Sequence, residues 1–253
     1  MEGSVRKAGD RVRITAQLVN AANGYHLWSE NFDRSLADIF SIQEEIARNV
    51  VNAVRPALQA PPAFDLQRHA PRDMRAYEFY LRGRQASARM TEISLKQSPS
   101  MFRNAIEIDP NYAQAWAGLS DALCELMLWR MINPGNGALE EAKNAAHRAL
   151  ELDPDLAEAH VAKGHSLMIA GDHDGATEAF EHAIKLDPNI AVTFNNRGIT
   201  RFRVGDCEGA ISDQTRAIKL KPEFVEAWSD RGAARQSKGD FNGALADFNQ
   251  AIK

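Results

Sequence analysis

The sequence predicts a mainly α-helical fold: a stack of helical hairpins, an α-α superhelix, that follows a small partial α/β element made of a β-hairpin and a helix. The prediction rests on a period of 34 residues in the second half of the chain. Three sets of markers keep this spacing: Pro154, Pro188 and Pro222; Gly164, Gly198 and Gly232; and Gly171, Gly205 and Gly239. A fixed period of this length, with small residues at set places, is typical of stacked helical hairpins.

Each period contains two predicted helices. In the unit after Pro154 they cover residues 156–170 and 174–186. Gly171 and Asp172 between them predict a tight turn, because glycine accepts the positive φ of a helix end and aspartate caps the next helix. Gly164 and Ala176 mark places where two backbones approach closely.

These residues resemble the tetratricopeptide repeat, whose motif combines an aromatic or small residue, a Leu-Gly pair, three alanine-like positions and a closing proline. The last two units match it at Trp228, Gly232, Ala244, Phe248 and Ala251, and at Phe194, Gly198, Ala210, Ala217 and Pro222. Three residues replace the leucine before the glycine, and one replaces an aromatic: Lys163, Arg197, Arg231 and Gln214. We expect looser packing at these four positions. The resemblance implies five hairpins with a right-handed superhelical twist.

The composition is that of an ordinary soluble chain, with 253 residues, 44% hydrophobic, 25% charged and a net charge of −4. The opening residues contain no apolar leader, and no later run approaches the roughly 20 apolar residues that span a bilayer. Cys124 and Cys207 occupy different repeat positions, so they predict no disulfide framework and fit a reducing compartment. We therefore expect a cytoplasmic protein.

The first part of the chain predicts a β-hairpin and a helix. Residues 11–18 alternate between apolar and polar side chains, as a half-buried strand does. Asn23-Gly24 supplies a tight turn, and residues 25–28 return as the partner strand. Ser41 followed by Glu44 indicates the start of a helix whose apolar stripe includes Ile46. So small a unit buries too little surface to offset its chain entropy.

Residues 2–54 resemble the last part of a TolB-amino-terminal-like α/β module of bacterial proteins. The match is carried by residues 2–6, 11–18, 24–28, 38–40 and 43–47. In that family the module lies between an N-terminal effector and C-terminal tetratricopeptide repeats. The effector is often a class III adenylate or guanylate cyclase or a winged-helix DNA-binding domain. The resemblance implies a bacterial signalling context, and it predicts that Met1 lies inside a longer ancestral reading frame.

These patterns define the expected domains: a partial module over residues 1–58, a linker over 59–73 and the repeats over 74–253. Five repeats are predicted, at residues 74–110, 111–154, 155–188, 189–222 and 223–253. In the first repeat, Pro99 is expected in the first turn of the second helix. The second repeat has ten extra residues, which lengthen either its helices or their connection around residues 133–137.

No motif for catalysis or for cofactor binding is present in the sequence. It contains no phosphate-binding loop, no His-Glu-x-x-His and no Gly-x-Ser-x-Gly. His160, His165 and His173 lie near two aspartates, but the first two are five residues apart and so point in different directions around a helix. We expect no enzyme activity, no cofactor and no metal.

The resemblance also predicts a binding groove, because in the repeat family the first helix of each hairpin lines the concave side. When the groove positions of the repeat family are transferred to this sequence, the predicted groove residues are Glu158, Val161, His165, Met168, Ile169, Val192, Asn195, Ile199, Phe202, Arg203, Glu226, Ser229, Ala233 and Gln236. Met168, Ile169, Ile199 and Phe202 are expected to be exposed, which indicates a groove for an amphipathic or extended peptide. The alternative is that these residues pack against a neighbouring helix or a further repeat. Val161 and His165 replace the clamp that binds a terminal carboxylate in some family members, which disfavours chaperone tails.

Two function classes are consistent with these patterns. The first is a non-enzymatic scaffold or regulatory segment that binds a protein or peptide in the groove. The alternative is the separated regulatory tail of a class III adenylate or guanylate cyclase, or of a winged-helix transcriptional regulator. We expect this chain to bind neither nucleic acid nor membrane. Self-association through exposed ends is a further expectation, because Leu245 and Ile252 lack a capping helix and the first strand leaves a sheet edge.

Overall fold

The structure is a computed structural model that describes residues 2–19, 26–35, 45, 46, 49 and 73–252. The chain divides into two compact units, Met1–Ala70 and Pro71–Lys253. The predicted Asn23-Gly24 turn, the helix start at Ser41 and residues 59–72 of the predicted linker lie outside the described residues.

The first unit contains an antiparallel sheet of three strands, β1 (Glu2–Ala8), β2 (Arg11–Val19) and β3 (His26–Ser35), in the order β1-β2-β3. The alternation in β2 buries Val12 and Ala16 together with Phe32 of β3. Arg11 and Arg13 are exposed and both form ion pairs with Asp33. The predicted amphipathic strand is therefore confirmed, and the sheet has one apolar face.

The second unit contains ten helices within residues 73–252, and every helix pairs with its neighbour along the chain to form five hairpins. In chain order they are α1 (Met74–Ala88), α2 (Glu92–Ile108), α3 (Ala113–Leu128), α4 (Ala138–Leu152), α5 (Ala157–Ala170), α6 (His173–Leu186), α7 (Ala191–Arg203), α8 (Cys207–Leu220), α9 (Val225–Ser237) and α10 (Phe241–Ala251). No strand occurs in this range. The predicted helical-hairpin fold is confirmed.

The turn within each of the last three hairpins follows the predicted chemistry. Gly171 ends α5 with a φ of 86°, a left-handed conformation that glycine adopts without steric cost. Asp172 then caps α6, because its side chain accepts a hydrogen bond of 2.9 Å from the backbone N–H of Gly175. Gly205 and Gly239 repeat this arrangement in the next two hairpins.

The glycine in the middle of each first helix allows the second helix to approach closely. A Cβ added at Gly164 would lie 2.5 Å from Cε1 of Phe180, which is fully buried. Gly232 faces Phe248 in the same way. The ring of the second helix therefore packs directly on the backbone of the first helix, as the period predicted.

Two predictions for the first two repeats are corrected or resolved by the structure. Pro99 lies in the interior of α2, because the helix begins about two turns earlier than expected, at a capping box formed by Thr91 and Ser94. In the second repeat the ten extra residues lengthen the connection, where a short 3-10 helix, Pro134–Asn136, follows α3. The helices of that repeat keep an ordinary length.

The prediction of looser packing is wrong at Arg197 and Arg231. Nη2 of Arg197 lies 2.6 Å from Oδ1 of Asp213, and Nη2 of Arg231 lies 2.7 Å from Oδ1 of Asp247. Both aspartates are buried. Paired charges thus replace apolar contacts between the two helices of the last two hairpins. At Gln214 the prediction is confirmed, because a Cβ added at Gly198 would lie 3.2 Å from Cγ of Gln214, whereas a Cβ added at the equivalent Gly164 would lie 2.5 Å from the Phe180 ring.

Candidate functional site

The first helices of the five hairpins, α1, α3, α5, α7 and α9, contact one another in succession. They form a continuous layer, which we call the first-helix face. All fourteen groove residues predicted from the sequence lie on three of these helices, α5, α7 and α9.

The predicted groove residues differ widely in exposure. Five are exposed, namely Val192, Arg203, Glu226, Ser229 and Gln236, and five are half-buried, namely Glu158, Ile169, Ile199, Phe202 and Ala233. The other four are buried: Val161, His165, Met168 and Asn195. The side chains that reach the surface therefore lie mainly on α7 and α9.

The prediction that Met168 is exposed is wrong, since only 2% of it is accessible. Val161 and Met168 belong to a buried cluster of α5 and α6, and Ile199 of the next first helix packs against that cluster. The cause is the close succession of first helices, because α7 covers part of the side of α5 that an isolated hairpin would expose. At Met168 the alternative that the sequence left open, packing against a neighbouring helix, applies.

A chain of polar side chains crosses the face from α3 to α7. Nδ1 of His165 lies 3.0 Å from Oδ1 of Asp121, and its Nε2 contacts the side-chain amide of Asn196. Burial lowers the pKa of His165, but the hydrogen bond and charge of Asp121 outweigh burial, so the pKa is raised. This chain connects three consecutive repeats through one buried histidine.

Glu125 lies on α3, one turn beyond Asp121, and is strongly perturbed. Its pKa is raised to about 7, first by burial and then by the charge of Asp121, while His165 opposes the shift. Its Oε2 atom has no hydrogen-bond partner among the described residues. Arg84 on α1 donates to the hydroxyl of Tyr80 over 2.9 Å and adds a cation to this end of the face.

The opposite end of the face, between α7 and α9, contains a second polar group. Nδ2 of Asn195 donates to Oδ2 of Asp230 over 3.0 Å. Burial and the charge of Glu226 raise the pKa of Asp230, although the hydrogen bond from Asn195 opposes them. Carboxylates therefore dominate this end of the face.

Several residues of these polar groups were not predicted from the sequence: Arg84, Asp121, Glu125, Asn196 and Asp230. A signal for Asp121 was present, because it precedes His165 by the 44 residues that separate Pro110 from Pro154. Extending the register into the second repeat would have placed both side chains at the same repeat position.

Two of the three histidines considered for metal binding have other side-chain contacts. His160 has its Nε2 atom 2.8 Å from the carbonyl oxygen of Pro154 and stacks on His182, and His165 belongs to the chain described above. Across the part of the chain that the structure describes, no group of three His, Cys, Asp or Glu side chains could hold a metal ion. A search of the same residues finds no helix with the length and apolarity that crossing a membrane requires.

Two stretches of the array match models of a known family, the tetratricopeptide repeat, over residues 157–190 and 195–253. A protein of Rhizobium meliloti (strain 1021) named "Putative adenylate cyclase 3" is 37% identical over 164 residues, which are 63% of this chain. The chain spans 27% of the length of that relative.

A solved structure shares the helical-repeat fold. TTC0263, a thermophilic TPR protein of Thermus thermophilus, superposes with a TM-score of 0.56 at 18% identity, covering 70% of this chain and 90% of that one. The second TPR of Spaghetti (RPAP3), solved with the HSP90 peptide SRMEEVD, has a TM-score of 0.38 at 27% identity and covers 39% of this chain and 93% of that one. The repeated hairpins, the two family matches and the fold shared with TTC0263 identify residues 157–190 and 195–253 as tetratricopeptide repeats.

Proposed function

We propose that this chain is a non-enzymatic scaffold that binds a segment of a partner protein on the first-helix face. The tetratricopeptide-repeat fold itself suggests a protein–protein interaction scaffold. The proposed location is the side of the array formed by α5, α7 and α9, and the proposed occupant is an extended or amphipathic peptide.

One observation carries the proposal: both apolar and polar side chains reach the surface on two consecutive first helices, α7 and α9. Val192 is exposed on α7, and Ile199 and Phe202 on the same helix are half-buried. Glu226 and Gln236 are exposed on α9. Such a mixed surface offers contact area for a side chain together with polar groups that can fix the orientation of a peptide.

The polar side chains of this face support binding rather than catalysis. His165 has both ring nitrogens engaged, one with Asp121 and the other with Asn196. A histidine held in this way is not available as a general base, which needs a free nitrogen within reach of a substrate proton. The free thiols of Cys124 and Cys207 support the further proposal that the chain works in a reducing compartment.

The test is a selection of peptides of about a dozen residues from a random displayed library, followed by affinity measurements with purified protein. Phe202→Asp should weaken the selected peptides at least about tenfold, because it places an unpaired charge in the contact surface. Leu245→Asp is the matched control, since Leu245 is an exposed apolar residue on α10, a second helix. Equal loss in both variants, or the absence of any binder, would contradict the proposal.

A second candidate function is a regulatory segment of a nucleotide cyclase. This candidate is favoured by the 37% identity to the Rhizobium meliloti protein named "Putative adenylate cyclase 3". Under this proposal the repeats act on a catalytic domain encoded in the same reading frame. The genomic sequence upstream of Met1 tests it: an in-frame region encoding the metal-binding aspartates of a cyclase would support it, and a stop codon with a ribosome-binding site would count against it.

A further inference from the structure

Asn195 lies at the boundary between α7 and α9, and among the described residues only one of the two polar atoms of its amide makes a hydrogen bond. Only 3% of the residue is accessible, and its Nδ2 donates to Asp230. Because a carboxylate only accepts hydrogen bonds when ionised, this contact fixes the orientation of the amide. The other amide atom, Oδ1, has no hydrogen-bond partner in the described part of the chain.

The surroundings of this amide are rich in acceptors. Glu226 precedes Asp230 by four residues on α9, so both carboxylates lie on one side of the helix. The charge of Glu226 adds to burial in raising the pKa of Asp230, and the opposing influence is the neutral amide of Asn195. The carboxylates of Glu226 and Asp230 therefore share one side of α9, and among the described residues the donor to Asp230 is the uncharged amide of Asn195.

The neighbouring arginines do not supply that donor. Arg231 follows Asp230 in sequence, but its Nε and Nη2 atoms bond to Asp247 on the other side of α9. Arg203 lies eight residues beyond Asn195 on α7, which corresponds to about 12 Å along a helix. Within the described part of the chain, neither arginine donates a hydrogen bond to Asp230 or to Asn195.

We propose, as an inference that rests on the proposed function, that the segment bound by the first-helix face carries a lysine or arginine side chain. Its cationic group is received by the carboxylates of Asp230 and Glu226, and the buried amide of Asn195 holds Asp230 in place. An ammonium group has three N–H donors and a guanidinium group has five, which matches a site made only of acceptors. Ile199 and Phe202 on α7 provide adjacent apolar surface for the methylene stem of such a side chain. An acidic segment would instead be repelled by the two carboxylates.

The experiment uses three synthetic peptide libraries that differ at one central position, which is fixed as lysine, glutamine or glutamate. The lysine library should bind the wild-type chain at least about tenfold more tightly than the glutamine library. The glutamate library should bind most weakly. Added salt should reduce the preference for lysine, because exposed charge pairs are screened.

Two variants test the site. Asp230→Asn keeps the shape and an acceptor for Asn195, and Glu226→Gln removes the charge of an exposed residue. Each should remove most of the preference for lysine. Glu178→Gln is the charge-matched control, because Glu178 is an exposed carboxylate on α6, and it should leave the preference unchanged.

The outcomes separate the basic-partner inference from the proposed function. If the glutamine library binds as tightly as the lysine library, and binding depends on Phe202 but not on Asp230, the basic-partner inference is wrong and the proposed function stands. If no library binds, or if binding is unaffected by Phe202→Asp, the proposed function fails and the inference fails with it. If the preference for lysine is unchanged in both Asp230→Asn and Glu226→Gln, the assignment of these two carboxylates as the binding site is wrong.

Discussion

Asp247→Ala tests whether buried ion pairs hold the last hairpin together. The Asp247 carboxylate accepts from Nε and Nη2 of Arg231 at 2.9 and 2.7 Å, and from Nη1 of Arg235 at 2.9 Å. The side chain of Asp247 is only 2% exposed and that of Arg231 only 9%. The substitution would leave a buried guanidinium without its counter-charge.

The expected loss in the free energy of unfolding is about 3 kcal/mol, at the low end of the roughly 3–5 kcal/mol typical when one partner of a buried pair is removed. The low end applies because the side chain of Arg235 is 26% exposed and can be solvated. The control is Glu208→Ala, which breaks the exposed pair with Lys238. That change should have little effect on the free energy of unfolding, because exposed ion pairs are screened by solvent.

The assay is urea denaturation followed by circular dichroism, with midpoints compared only where the slope is unchanged. A third variant combines Arg231→Lys, Arg235→Leu and Asp247→Ala, which copies the residues found 68 positions earlier in the array: Lys163, Leu167 and Ala179. It should recover most of the lost stability, because Leu and Ala then make an apolar contact and the remaining lysine can extend to solvent, as the exposed Lys163 does. If Asp247→Ala lowers the free energy of unfolding no more than Glu208→Ala does, the buried ion pairs do not stabilise the last hairpin.

Three further changes have clear expected outcomes. Gln214→Phe should raise the free energy of unfolding by about 1 kcal/mol or more, because it removes the buried Oε1 acceptor, which has no partner among the described residues. The new ring would also pack on Gly198, as phenylalanine rings pack on the equivalent glycines of the neighbouring repeats. A lowered urea midpoint would show that the site cannot hold a ring. Ala217→Trp should cost about 1–3 kcal/mol by overfilling a fully buried position, and an unchanged midpoint would contradict the assigned helix contact. The pKa of Glu125 is raised to about 7 from an ordinary value of 4.5, so its contribution to stability is full below pH 4.5 and is lost as the pH rises through about 7. Glu125→Gln should therefore gain up to about 3 kcal/mol over the wild type between pH 4.5 and pH 8.5; a constant difference across that range would contradict the shift. The pKa of His165 is also raised, so its contribution to stability is likewise lost as the pH rises. It therefore does not oppose the loss of stability that Glu125 causes in the wild type.

The hairpins could be predicted from the sequence because their signals are local. Gly171 and Asp172 specify a turn by themselves, and the period repeats that turn at Gly205 and Gly239. The predicted helices over residues 156–170 and 174–186 therefore differ from α5 and α6 by one residue each at their starts. Pro99 was misplaced because the Thr91 capping box, a weaker signal, decides where α2 begins.

The candidate site was less predictable because it depends on contacts between repeats. Burial of Met168 follows from the packing of Ile199 on its cluster, which periodicity within one repeat does not contain. The pairing of Arg231 with Asp247 joins residues 16 apart across a hairpin. The sequence signal for this ion pair is that arginine and aspartate recur together one period earlier, at Arg197 and Asp213. The repeat motif alone shows the arginines only as departures from leucine, from which looser packing was predicted.

Hydrogen exchange of the chain with and without a selected peptide is the most direct test of peptide binding on the first-helix face. It locates the bound segment on the array without assuming which residues contact it. We expect the peptide to slow exchange in α7 and α9, and to a smaller extent in α5, while α6, α8 and α10 exchange as in the free protein. Slowing confined to α6, α8 and α10 would contradict a binding site on the first-helix face.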